Sequence, residues 1–128
     1  MREIVQTNNA PQAIGPYSQG VVAQGRYVFV SGQLGLDPET GKLAEGGIGA
    51  QSKQALENLK NVLEAGGASL SDVVKTTVLL NKIEDFPALN AIYGTYFVES
   101  PPARATFGGL DLPLGALVEI ECVAVISN

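Results

Sequence analysis

The sequence contains no histidine and no tryptophan, a single cysteine, and only eight lysines and arginines against thirteen acidic residues. Each scarcity closes off a kind of chemistry. Without histidine there is no Ser-His-Asp or Cys-His nucleophile system, no histidine general base and no imidazole-ligated metal. One cysteine, Cys122, makes neither an internal disulfide nor a thiolate metal cluster, which fits a reducing compartment. A net charge of −5 repels a phosphate backbone and no basic patch offsets it, so nucleic-acid binding is not expected. No apolar run approaches the ~18–20 residues of a membrane span. The stretch Met1–Gln12 lacks the apolar centre of a secretory signal and the arginines of a transit peptide. The expectation is a cytoplasmic protein with no membrane association.

The chain nevertheless has the means to fold. Its 128 residues, 45% of them hydrophobic, suit a single domain spanning 1–128 with one core. Val21–Ala23 and Tyr27–Ser31 read as a hairpin about Gly25. From Ile48 to Ala65 the period becomes helical: Leu56, Leu59 and Leu63 share a face with Ala55 and Val62, until Gly66-Gly67 ends the run. Val73–Leu80 is a β-branched strand, with Val74, Thr76, Val78 and Leu80 on one face. A second helix follows, with Asp85 as N-cap, an apolar stripe of Phe86, Leu89, Tyr93 and Tyr96-Phe97, and a stop at Ser100-Pro101-Pro102. Arg104–Gly108 and Leu117–Ile126 are further strands, and a short one is expected near Glu3–Gln6. The order predicts an α+β fold, a single sheet with both helices packed on one face.

The last strand separates its residues by face. Val118, Ile120, Cys122, Ala124 and Ile126 make an apolar face for the helices, whereas Leu117, Glu119, Glu121, Val123 and Val125 make a mixed one. The mixed face is too apolar to stand bare and too charged for a dry core. We expect it to pack against further copies of the chain, leaving polar clefts between subunits.

Several residues could carry chemistry. Arg104 and Thr106 share a face of a short strand after a rigid Pro-Pro corner; an arginine so placed grips a carboxylate through two parallel hydrogen bonds, or pairs structurally with a glutamate. Thr106 adds a hydroxyl or amide donor. Glu119 and Glu121 lie about 6–7 Å apart on one strand face, where a carboxyl moves protons, pairs with Arg104, Lys75 or Arg26, or faces water. Tyr17, in Ile14-Gly15-Pro16-Tyr17-Ser18, presents a hydroxyl from a turn or simply packs its ring. Ser31-Gly32-Gln33 marks either a bulge or a close backbone approach to a ligand or another chain. The glycines form no phosphate-binding fingerprint, and no cofactor is expected.

Taken together, Ile14-Gly15-Pro16-Tyr17-Ser18-Gln19, Ser31-Gly32-Gln33, Lys75-Thr76-Thr77-Val78, Asn90-Ala91-Ile92-Tyr93, Pro102-Ala103-Arg104-Ala105 and Val118-Glu119-Ile120-Glu121 resemble the RidA family, also called YjgF-type or L-PSP endoribonuclease. The match runs from about Ile4 to Val125. The resemblance implies a chorismate-mutase-like α+β subunit in a homotrimer with clefts between subunits. It also implies hydrolysis of reactive 2-imino acids and their enamines to 2-keto acids and ammonia, without metal or cofactor. The enamines would come from pyridoxal-phosphate dehydratases. By position, Arg104 would bind the substrate carboxylate, Glu119 would hold the attacking water, and Tyr17, Asn90, Ser31 and Gly32 would line the cleft. Where many relatives have cysteine this chain has Thr106, so no thiol nucleophile is available there. The alternatives are a ribonuclease or translation inhibitor, after the family's older name, and a non-enzymatic trimer acting as a metabolite-binding regulator or chaperone.

Overall fold

The computed structural model describes residues 2–127. Its elements are β1 (Arg2–Val5), β2 (Gly20–Ala23), β3 (Arg26–Leu34), α1 (Gly47–Ala65), β4 (Val73–Leu80), α2 (Phe86–Tyr96), β5 (Ala103–Phe107) and β6 (Val118–Ile126). The main sheet runs β3-β6-β4-β5, with β4 and β5 parallel and β6 antiparallel to both β3 and β4. Strands β3, β4 and β5 therefore point the same way and follow one another across the sheet. Each is joined to the next by a helical crossover. Two crossovers of the same hand stepping in the same direction put both helices on one face. This is the α+β arrangement expected, and among the described residues no helix is long and apolar enough to cross a membrane.

The core lies between that face and the helices. Leu56, Leu59 and Leu63 of α1, Leu89 and Tyr93 of α2, and Val118, Ile120 and Ala124 of β6 are all fully buried. Val62, at the margin of the α1 stripe, stays 40% exposed. The helix ends as its glycines predict. Ala68 N donates to Leu63 O at 2.9 Å and Gly67 N to Glu64 O at 3.1 Å, the paired bonds of a Schellman stop. Gly67 takes the left-handed conformation (φ +84°) that this stop requires.

Three local expectations are corrected. The segments around Gly25 do not form a hairpin: β2 pairs with β1 in a separate two-stranded ribbon, while β3 pairs with β6. The nine-residue β6 offers β3 a longer ladder than the four-residue β2 could, and Gly25 (φ +151°) passes where a β-carbon would collide with the Ile126 carbonyl. In β4 a bulge between Val73 and Lys75 shifts the alternation, so Val73 rather than Val74 joins Thr76, Val78 and Leu80 under the helices. Asp85 makes no capping bond, because the short 3-10 turn Ile83–Asp85 already holds it in helical geometry (φ −81°, ψ −3°) rather than the extended one a cap needs.

Candidate functional site

Strand β5 positions the arginine. Its parallel register with β4 sets Arg104 opposite Thr76 and Thr106 opposite Val78. Thr76 and Val78 are fully buried beneath the helices, so Arg104 and Thr106 both project to the helix side, on the shared face their spacing predicts. The half-buried guanidinium lies among three rings, 4.8 Å from the centroid of Tyr93, 5.1 Å from Phe86 and 5.4 Å from Tyr17. Its Nη1 donates to Asn90 Oδ1 at 2.8 Å. Among the described residues no carboxylate lies within ion-pair range of it, so the structural pairing with a glutamate is not made. Burial lowers the Arg104 pKa, and the electron-rich oxygens of Tyr93 and Tyr17 partly oppose that effect. Arginine stays protonated regardless. The result is a partly desolvated cation whose neighbours in the chain are neutral.

Two local structures build this surrounding. Phe86, Asn90 and Tyr93 are spaced i, i+4, i+7 on α2 and so form one stripe facing β5. The turn at Gly15 supplies the third ring. Tyr17 N donates to Gly15 O at 2.9 Å, and Ile14 N reaches the Tyr17 hydroxyl at 3.4 Å. Ser18 then stitches the turn onto the strand entrance, its amide donating to Pro102 O at 3.1 Å and its hydroxyl to Pro101 O at 2.5 Å. Gly15 adopts φ +143°, and a β-carbon there would stand 3.7 Å from Arg104 Nη2. Tyr17 thus both packs its ring and engages its hydroxyl. Thr106 Oγ1, two residues along from Arg104, is buried with no hydrogen-bond partner.

Glu119, Ser31 and Gly32 form a second group. In β6 Glu119 stands between Val118 and Ile120, both fully buried against the helices, so its side chain leaves the opposite face of the sheet. It registers with Leu34 of β3 and Leu79 of β4. Ser31-Gly32 is a bulge, falling where the β3–β6 register shifts between Val30 and Gln33. The missing side chain matters: a β-carbon on Gly32 would overlap Glu119 Oε2 and lie 2.8 Å from its carboxyl carbon. Ser31 borders a hollow of about 210 Å³ with Phe29, Lys75, Thr77 and Glu121. On the same mixed face Tyr27 and Phe29 stack at 5.8 Å while 58% and 73% exposed.

The structure therefore gathers Arg104, Thr106, Tyr17 and Asn90 on one side of the sheet and Glu119, Ser31 and Gly32 on the other. A larger cleft of about 460 Å³ lies elsewhere, where Lys60 and Glu64 of α1 face Ser69–Ser71 and Tyr96–Ser100, and contains none of these residues. Cys122 is buried in the core, and desolvation pushes its thiol up to about 12. Sequence reasoning assigns Phe86 and Tyr93 to the core stripe and passes over Ser18. The detectable signal was the spacing of both rings from Asn90, which places all three on one helix face.

The chain is similar to known proteins over nearly its whole length. The model of the family described as endoribonuclease L-PSP matches residues 7–126. The chain is 50% identical to the 2-iminobutanoate/2-iminopropanoate deaminase of Mus musculus over 98% of this chain and 92% of that one. Identity to the Homo sapiens protein of the same name is 47%, over 98% and 90%. Among solved structures, RidA from Psychrobacter sp. is 47% identical with a TM-score of 0.76, covering 97% of this chain and 99% of that one. The Escherichia coli protein TdcF with bound serine is 38% identical with a TM-score of 0.76, covering 98% and 99%.

Proposed function

The chain belongs to the endoribonuclease L-PSP family, the RidA type, and from that membership and the site geometry we propose that it is a hydrolase of C–N bonds acting on reactive 2-imino acids. One observation carries the reading beyond the relatives' names: Arg104 is a cation held by three rings and one amide, with no anion beside it among the described residues. A desolvated cation without a counter-ion is a receptor for a carboxylate. That a family member binds serine, itself a small 2-amino acid, agrees with this.

In the proposed reaction the substrate carboxylate binds Arg104, which sets the position of the neighbouring imine carbon. Thr106 and Asn90 contribute polar contacts, and Tyr17 walls the site. Water adds to the protonated imine to give a carbinolamine, a proton passes to nitrogen, and ammonia leaves as the 2-keto acid forms. A protonated imine is already electrophilic, so orientation and one proton-transfer group suffice. Glu119 is assigned that group, holding the attacking water beside Ser31 and Gly32.

Because Glu119 and Arg104 leave opposite faces of one sheet, the reading requires that the Glu119 group of one subunit meet the Arg104 group of another. A homotrimer with three such clefts satisfies this, and the exposed Tyr27-Phe29 stack gives the mixed face an apolar surface to bury. The enamine would be supplied in the cytoplasm by a pyridoxal-phosphate dehydratase.

The test is to generate 2-aminocrotonate from threonine with a threonine dehydratase and follow decay of imine absorbance and release of ammonia. The protein should accelerate both, and Arg104→Ala should abolish the acceleration. An imine lifetime unaffected by wild-type protein would favour the non-enzymatic binding role. Full activity in Arg104→Ala would remove the assigned anchor.

A further inference from the structure

We propose that the buried Thr76–Tyr93 hydroxyl pair is a positioning device for Arg104, setting the rotation of α2 and with it the ring platform on which the guanidinium rests. The inference builds on the reading of Arg104 as a carboxylate anchor and adds residues that the anchor depends on without their touching substrate.

The geometry forms a closed circuit. Thr76 of β4 is the register neighbour of Arg104 of β5 and lies entirely below the surface. Its Oγ1 meets the Tyr93 hydroxyl at 2.7 Å. The Tyr93 ring, also fully buried, is the nearest of the three to the guanidinium. Phe86 and Asn90, the other two α2 contacts of Arg104, lie on the same helical stripe as Tyr93. Whatever fixes the rotation of α2 at Tyr93 therefore fixes all three contacts at once.

Apolar packing is non-directional, so the burial of Tyr93 and its ring contact with Phe97 at 4.6 Å do not by themselves single out one rotation of the helix. A directional bond between two buried hydroxyls does not slide, because either partner left alone would be an unpaired polar group in the core. Asn90 follows the same stripe, so a small rotation of the helix would misalign its hydrogen bond to the Arg104 guanidinium. The sheet register holds the strand end of the circuit, and the Thr76–Tyr93 bond holds the helix end.

The experiment compares wild type with Thr76→Val, Tyr93→Phe, the double variant and Tyr93→Leu. Calorimetric Kd for 2-oxobutanoate, a non-reacting 2-keto acid, is measured alongside KM and kcat for imine hydrolysis. Loss of the ring in Tyr93→Leu should weaken 2-oxobutanoate binding roughly tenfold, as expected for a desolvated cation–π contact. Thr76→Val, which strands the tyrosine hydroxyl, should weaken it several-fold, and adding Tyr93→Phe should recover most of that loss. KM should follow Kd while kcat of the folded enzyme holds. Mere destabilisation would lower the active fraction, and so apparent kcat, leaving KM in place. Unchanged Kd in folded Thr76→Val overturns the proposal, as does absence of recovery in the double variant. If Tyr93→Leu does not fold, that pair of results decides alone. A wild type that binds 2-oxobutanoate but hydrolyses no imine would sink the enzymatic reading and leave this test intact. A wild type that does not bind 2-oxobutanoate would overturn both.

Discussion

Arg104 and Glu119 project from opposite faces of one four-stranded sheet, the first beneath α2 and the second onto the face that carries exposed Tyr27 and Phe29. A single chain cannot apply both to one small substrate. If clefts form between copies, Arg104→Ala and Glu119→Gln should each be inactive alone, yet regain activity when unfolded together and reassembled. For random trimers from an equal mixture, about a quarter of the clefts would pair an intact arginine with an intact glutamate. Activity near that level is expected by the imine-decay assay; none at all would argue that one subunit provides the whole site.

Gly32 offers a narrower test of Glu119. A β-carbon at that bulge collides with the carboxylate, a flexible side-chain end, and with no backbone atom among its three nearest contacts. Gly32→Ala should therefore fold with a urea midpoint close to wild type while kcat falls substantially. Undiminished kcat in a folded Gly32→Ala would show that the carboxylate need not stand where the glycine lets it.

Thr106 carries an orphan hydroxyl. An unsatisfied buried polar group costs about 1–3 kcal/mol, so Thr106→Val should hold or raise the thermal midpoint. If the hydroxyl meets substrate, the same change should raise KM several-fold. A lowered midpoint with unchanged KM would mean that the hydroxyl serves the fold.

Alkaline pH should weaken the fold. Burial holds the Tyr93 hydroxyl and the Cys122 thiol at about 12, against ordinary values of 10.0 and 9.0, and burial, helped by the hydrogen bond to Glu57, also raises Tyr96 to about 12. All three stay protonated in the folded state after their unfolded counterparts begin to ionise, so the unfolded chain binds fewer protons. Their contribution to stability is complete below about pH 9 and is lost as pH rises towards 12. Urea midpoints at pH 8, 10 and 11 should decline in that order, and Tyr93→Phe should flatten the decline. The same burial should keep Cys122 from reacting with iodoacetamide at pH 8 until urea is added; rapid labelling of native protein would contradict it.

Much of the site was legible because strands and helices impose simple periods. Alternation in the last strand separated Glu119 from the core-facing Val118 and Ile120, and the two-residue spacing put Arg104 and Thr106 together. The bulge at Val73/Val74 was not legible, since one extra residue inverts the faces of the flanking segments without altering composition. Nor was the pairing of β2 with β1, where competition between ladder lengths overrode a plausible turn at Gly25.

Residue order by itself determined which chemistry was open: the lack of histidine, the lone buried thiol, the helix stop at Gly66-Gly67, and the apolar face of β6, all set by side-chain type and local period. Only the tertiary structure decided what surrounds Arg104 and that Glu119 lies across the sheet from it. Those outcomes depend on strand register and on the crossover placing α2 over β5, long-range pairings that no local pattern encodes.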